Sequence, residues 1–387
     1  MINLLDCCKI NSKKVNEYSG TKKYVATGDI DNNEIINYTE YSFTEKPSRA
    51  NLVIDENSVL FAKMMSTKKV LIGDKNNIDY IYSTGFYSMK ANEDIIKPKL
   101  LYYFFNSDFF NKQKDKYCTG ATMKGINDKG LKKIKLNLPD INEQDKYIQE
   151  FDKLFELLNT RKKMIIDLDL YLKSYFKEQF GNIQNSEFDT KELTELVNKN
   201  DKNSLKRGPF GGSLKKADFV ENGYLVYEQR HAIHNDFEYE KYFINEKKFN
   251  EMKMFQVVPG DLIISCSGAT LGRIAEIPND AKKGIINQAL LKISLNNKLI
   301  LNDFFIHQFR SNEMQDQLFG FSRGAGIPNF PSMTEVKKLK FICPNIKIQE
   351  KFVKKVKEVN EIKESYNKDV YDIEQIINKK MNDVFKG

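Results

Sequence analysis

LKKIKLNLPDINEQDKYIQEFDKLFELLNTRKKMIIDLDLYLKSYFKEQF (Leu131 to Phe180) lies without a gap on VKKLKFICPNIKIQEKFVKKVKEVNEIKESYNKDVYDIEQIINKKMNDVF (Val336 to Phe385), about 205 residues further on. Lysine matches come cheaply in so lysine-rich a chain. Pro139/Pro344, Ile141/Ile346, Gln144/Gln349, Asp167/Asp372 and Phe180/Phe385 do not. In the first copy Ile148, Phe151, Phe155, Leu158, Ile165, Leu172 and Phe176 recur at spacings of three and four, with Leu154, Leu168 and Tyr175 widening the stripe. Pro139 cannot sit inside a helix, Asp140 and Asn142 are good caps, and Gly181 ends the run. The second copy repeats the stripe with Val353, Val356, Val359, Ile362, Val370, Ile373, Ile377 and Met381, after Pro344 and the cap candidate Asn345. Each helix would be roughly 55–60 Å long at about 1.5 Å per residue, more than one small domain needs. Neither can bury its stripe alone, so the pattern predicts that the two pair as a coiled coil. Polar residues on the stripes (Lys162 and Asp169; Asn360, Lys363, Asn367 and Glu374) would set the register. The alternative is that each helix packs on its own domain.

The duplication continues upstream. Glu56–Ile72 resembles Pro259–Ile277, Ser83–Asn92 resembles Asn287–Asn296, and Lys99–Phe110 resembles Phe304–Gln315 as a short amphipathic helix. The segments before the long helices read as mixed domains rich in short strands. The expected organisation is α/β (α+β): globular domains at 1–141 and 183–346, helices at 142–182 and 347–387, an internal two-fold repeat.

Charge and composition narrow the class. The chain has 387 residues, a formal charge of +8 and 41% hydrophobic residues, as in a water-soluble globular protein with a polyanionic partner. A genome bias toward Lys, Asn and Ile explains the same excess. No apolar run approaches a membrane span, and Met1–Lys14 lacks a signal-peptide core, so a cytoplasmic protein without membrane contact is expected. Five scattered cysteines with no CxxC pair suggest neither a disulfide framework nor a zinc ribbon.

In this duplicated order the chain resembles the DNA-specificity subunits of type I restriction-modification systems. The residues that carry the resemblance are an opening strand at Leu4–Cys8, repeated at Leu193–Val197, and the Gly208-Pro-Phe-Gly-Gly-Ser213 stretch. Pro259–Ile264 and the LxxIxLxxP lead-in at Leu131–Pro139, recurring at Val336–Pro344, complete the set. The first domain departs from the pattern: it has no GPFGG equivalent, and Glu56-Asn57-Ser58 stands for Pro-Gly-Asp. The resemblance implies two target-recognition domains separated by two long antiparallel helices, each domain reading half of a split, asymmetric duplex DNA target. It implies no cofactor on this chain. S-adenosylmethionine belongs to partner methyltransferase subunits, two copies docking on the helices, and a translocating endonuclease subunit joins for restriction.

Duplex contact needs Lys and Arg for phosphates and polar side chains for base edges. The candidates in the first domain are Lys63, Ser66, Thr67, Lys68, Lys69 and Lys124. In the second they are Arg207, Lys215, Lys216, Arg230, His231, Ser265, Ser267, Thr270, Arg273 and Arg323. Candidate partner-binding positions are Phe151, Phe155, Leu158, Ile165, Leu172, Phe176, Val356, Ile362, Val370 and Ile377.

Enzymatic readings find little support. There is no Asn-Pro-Pro-aromatic turn for adenine methylation and no GK[ST] for a motor. Glu246-Lys247-Lys248 and Glu361-Ile362-Lys363 satisfy the E-x-K half of a nuclease site, as chance allows at this composition. His231 and His234 are spaced to share a metal, but surface positions are expected for the histidines, and no metal or catalytic residue is assigned. The rival from another class is a coiled-coil assembly scaffold that binds no DNA.

Overall fold

A computed structural model describes every residue except 122, 184, 211, 269, 321–329 and 387. The chain divides into two compact units, Met1–Met164 with Tyr366–Gly387, and Ile165–Ser365. The boundary falls inside both long helices, which span Gln144–Phe180 and Ile346–Phe385.

Each unit carries the same pair of sheets. In the first unit Cys8–Ile10, Phe86–Ala91, Val59–Ala62 and Val70–Ile72 lie in that order, all antiparallel. The second unit repeats this with Leu205–Arg207, Leu290–Ile293, Leu262–Ser265 and Ile274–Glu276. The other sheet of the first unit runs Thr39–Tyr41, Lys22–Val25, Ile81–Ser83, Ala50–Leu52, with the two middle strands parallel. Its counterpart centres on the parallel pair Tyr224–Tyr227 and Gly284–Ile286, flanked by Gln256–Val257 on one side. Phe243–Ile244 and then Phe219–Val220 complete the other side. The repeat seen in the letters is thus a repeat of strand order.

Two expectations are corrected. Leu4–Cys7 and Leu193–Leu196 are single helical turns, not strands. The apolar residues buried there, Leu4 with Cys7 and Leu193 with Leu196, are three apart, which is helical spacing. An acid closes each turn, Asp6 accepting from the Asn3 amide (3.2 Å) and Glu195 from the Glu192 amide (2.8 Å). The short amphipathic helix is in each unit two helices, Pro98–Asn106 with Asp108–Lys116, and Asn302–Phe309 with Asn312–Gly320. Serine makes the break: Ser107 Oγ accepts from the Phe110 amide and Ser311 Oγ from the Met314 amide, capping the second helix of each pair.

The repeated glutamine explains itself in the packing. Gln144 is fully buried; its Oε1 accepts the Lys97 amide (2.8 Å) and its Nε2 donates to the carbonyls of Ile95 (2.8 Å) and Pro139 (3.1 Å). Gln349 does the same with the Leu301 amide (2.9 Å) and the carbonyls of Leu299 and Pro344 (both 2.8 Å). One side chain ties the start of each long helix to the loop before the short helices, using backbone groups that would otherwise be buried unpaired.

Within each unit the two long helices pair antiparallel. In the first unit Phe151 stacks on Phe385, Arg161 pairs with Asp369 (2.9 Å), Lys162 with Glu374 (2.8 Å) and Glu150 with Lys380 (2.6 Å). In the second, Phe352 packs against Phe176 and Phe180, and Lys363 meets Asp169 at 2.6 Å. The polar stripe residues Lys162, Glu374, Asp169 and Lys363 therefore pair across the helices. Phe151, Leu158, Leu172, Phe176, Val356 and Ile377 are buried in these cores, Phe155, Ile165 and Val370 are half-buried, and Ile362 is exposed. Each buried phenylalanine contributes about 2 kcal/mol by area. As partner-binding positions the buried six are corrected: their partner is the chain itself.

Candidate nucleic-acid interface

In the first unit the candidates converge on one hairpin. Residues 63–69 join the antiparallel strands Val59–Ala62 and Val70–Ile72. Met64 bridges to Gly125 and the Met65 amide donates to the Lys124 carbonyl (2.9 Å), so the loop carrying Lys124 lies beside the turn. The lysines divide by environment. Lys63 donates to the Thr84 carbonyl (2.9 Å) over the Tyr87 ring, and burial lowers its pKa. Lys69 donates to the Thr27 carbonyl (2.7 Å) and Lys68 pairs with Asp108 (2.7 Å). The Lys124 side chain is exposed. Side chains missed by reading charge alone stand around it: Met64 and Met65 are each 40% exposed and Met123 75%. The signal was there, a Met-Met pair inside a basic turn.

In the second unit Arg207 ends the edge strand Leu205–Arg207 and leads into the glycine turn. A Cβ on Gly208 would sit 1.8 Å from the Asn287 carbonyl oxygen, so only glycine passes there. The turn presents Phe210, 65% exposed and 5.7 Å from the Arg207 guanidinium. Arg207 donates to the Cys266 carbonyl (3.4 Å), while its buried Nε has no hydrogen-bond partner among the described residues. The Ser267 amide donates to Gln229 Oε1 (3.3 Å), bringing the hairpin turn next to the helix Gln229–His234. Arg207, Ser267 and Thr270 are half-buried on this edge, with Arg273 exposed. Arg230 pairs with Asp236 (3.2 Å) beneath the Tyr239 ring. Lys215 and Lys216 are exposed before the strand Phe219–Val220. Arg323 lies outside the described residues.

His231 and Ser265 are not surface residues. His231 is fully buried, its Nδ1 accepting the Glu228 amide (2.9 Å) and its Nε2 donating to the Tyr239 carbonyl (2.9 Å). Ser265 is fully buried and closes the hairpin from inside, donating to the Thr270 carbonyl and accepting the Arg273 amide (2.9 Å). Both satisfy backbone groups, which removes them as base-reading candidates.

The E-x-K strings do not assemble a site. Lys248 pairs with Asp218 and Glu251 at 3.6 Å each, and Lys363 is taken by Asp169. Among the described residues no three His, Cys, Asp or Glu side chains gather as metal ligands, and no helix is long and apolar enough to cross a membrane. All five cysteines are free.

The two units thus form a duplicated two-sheet module, each with a hairpin at the same edge. The family model described as type I restriction modification DNA specificity domain matches residues 1–167 and again 185–375. The chain belongs to that family and carries the domain twice; it is a DNA-specificity chain of a type I restriction-modification system. Among solved structures it is similar to a chain studied for complex assembly and conformational transition of the type I R-M system. That match has 16% identity over 99% of this chain and 96% of the other, with a TM-score of 0.58. It is also similar to the HsdS subunit from Thermoanaerobacter tengcongensis (17% identity, 100% and 96% covered, TM-score 0.41). A third is the type I restriction-modification S subunit from M. genitalium (14% identity, 99% and 95% covered, TM-score 0.47).

Proposed function

We propose that each unit reads one half of a split DNA target through its hairpin edge, residues 63–69 with Lys124 in the first unit and Arg207 with residues 266–273 in the second. The observation that carries this reading is the recurrence of one two-sheet module with a hairpin in the same place twice, bearing Lys63, Lys68 and Lys69 in the first unit and Arg273 in the second. The chain supplies recognition without chemistry and binds no cofactor itself. Two methyltransferase subunits bring S-adenosylmethionine, and an endonuclease and translocase subunit joins them, in the cytoplasm where the DNA is.

Docking of those subunits falls to apolar side chains that the helix pairs leave outside. These are Leu157, Tyr371 and Ile376 in the first unit, and Ile166, Leu170, Tyr171 and Ile362 in the second, each at least 43% exposed. Co-expression with a type I methyltransferase subunit, followed by methylome sequencing, tests the reading. A two-part methylated motif is the expected result. Binding to random duplex should also fall steeply with salt, since phosphate contacts release counterions; salt-independent or absent binding would favour the assembly scaffold.

A further inference from the structure

We propose that Lys114, a buried lysine of the first unit, is a positioning residue for the reading hairpin, and that the half-site read by this unit depends on it while the other does not. The inference rests on the DNA-recognition reading above and names the device that holds one reader in shape.

The hairpin turn is gripped one residue at a time. The Met65 amide donates to the Lys124 carbonyl, and the Ser66 amide to Asp115 Oδ1 at 3.0 Å. Lys114 Nζ donates to the Thr67 carbonyl at 2.5 Å, and Lys68 pairs with Asp108 at 2.7 Å. Three of these four anchors come from one short helix, Asp108–Lys116. Ser66 is held at φ 58°, a left-handed backbone that a serine does not adopt unaided. With the backbone fixed in this way, Met64, Met65 and Ser66 have their side chains turned to solvent. Fixing the backbone of a recognition loop while leaving its side chains free is how a reader is preorganised.

Lys114 carries the most demanding of the contacts. It is 1% exposed, and its ammonium has the Thr67 carbonyl as hydrogen-bond partner, with the Asp115 carboxylate at 3.9 Å. Burying a lysine is unfavourable unless its donors are used. A leucine at this position would serve the core better, and the second unit has one. By the offset that aligns the capping serines Ser107 and Ser311, Lys114 corresponds to Leu318, which is fully buried in an apolar core. There the hairpin is closed from inside by Ser265, and its helix, Asn312–Gly320, has no lysine to take the place of Lys114. The lysine is therefore not explained by packing. It is explained by the loop it holds.

The test uses the full chain co-expressed with a type I methyltransferase subunit, and reads the methylated motif of wild type, Lys114→Met and Asp115→Asn. Methionine keeps the length of the stem and removes the donor. Expected for Lys114→Met is a relaxation confined to one half of the motif: sites mismatched in that half rise about tenfold or more, and the other half stays as stringent as in wild type. A merely structural role would lower methylation without changing the motif, and that result overturns the proposal. Asp115→Asn weakens the neighbouring anchor at a side chain 28% exposed, so it reports even if Lys114→Met fails to fold. It should relax the same half to a smaller degree; an unchanged motif overturns the proposal. If the wild-type chain itself gives no two-part motif, the recognition reading falls, and the inference with it.

Discussion

Replacing Asp261 and Lys292 singly and together tests why one repeat keeps a buried ion pair where the other does without. Asp261 and Lys292 are 3% and 4% exposed, with Nζ 3.8 Å from Asp261 Oδ2 and 3.4 Å from Asp201 Oδ2. Asp261 also accepts the Val258 amide (2.9 Å) and the Ser294 hydroxyl. In the first unit Ser58 and Ser88, both buried, stand in the corresponding places. Asp261→Ser leaves a buried ammonium with only the more exposed Asp201, at a cost of about 3 kcal/mol. Lys292→Ser costs less from charge, about 2 kcal/mol, because burial already raises the Asp261 pKa and the acid can take a proton while keeping its hydrogen bonds. The double variant reproduces the polar content of the first unit, so its cost should fall short of the sum by about 2 kcal/mol. Hydrogen exchange in Leu262–Ser265 and Leu290–Ile293 is the assay, because a chain of two units need not unfold in one step. The shortfall corresponds to about a 30-fold difference in exchange rate from the additive value. Costs that add to within about 0.5 kcal/mol would refute the coupling.

Gln349→Ala strands the Leu301 amide and two carbonyls, and should destabilise the second unit by about 2–4 kcal/mol in urea, with Gln144→Ala doing the same in the first; less than about 1 kcal/mol would mean that water replaces the side chain. Lys162→Glu should lower the melting temperature slightly, since a half-exposed pair is worth about 0.5–1 kcal/mol, and adding Glu374→Lys should restore it if the pairing holds. His307 has its pKa lowered from 6.5 to about 4, by burial first and then by the Arg310 charge. The unfolded chain therefore binds this proton more tightly. The stability of the neutral histidine is full above pH 6.5 and lost as pH falls toward 4, by up to about 3 kcal/mol. The urea midpoint measured across that window should slope less in His307→Gln than in wild type.

The parts of this molecule that were legible in its letters are those where a side chain answers to the backbone. Pro139 and Pro344 mark where the chain cannot be helix, Gln144 and Gln349 close the same three hydrogen bonds, and the apolar stripes state their own period. The candidate interface was less legible because residue type does not say where a polar group spends its hydrogen bonds. Lys63 and Lys69 look like phosphate contacts and are used on carbonyls of their own unit, while His231 and Ser265 look like base readers and are buried. Met64, Met65 and Met123 look like core and are exposed.

The apparent departure of the first domain makes the same point from the other side. Glu56-Asn57-Ser58 shares no letter with Pro259-Gly260-Asp261, yet the turn is the same turn. Asn57 takes the left-handed position at φ 64° that Gly260 holds at φ 85°, and asparagine is among the few residues that tolerate it. Ser58 Oγ accepts the Asp55 amide at 3.3 Å as Asp261 accepts the Val258 amide, three residues back in each case. What the repeat preserves is a backbone path and the acceptor that stabilises it, and several side chains meet that need. The side chains exposed on the hairpin edge, Met64, Met65 and Ser66 in the first unit, have no such internal requirement. If they read DNA as proposed, they answer to the target sequence, and the two units are free to differ there while sharing a fold.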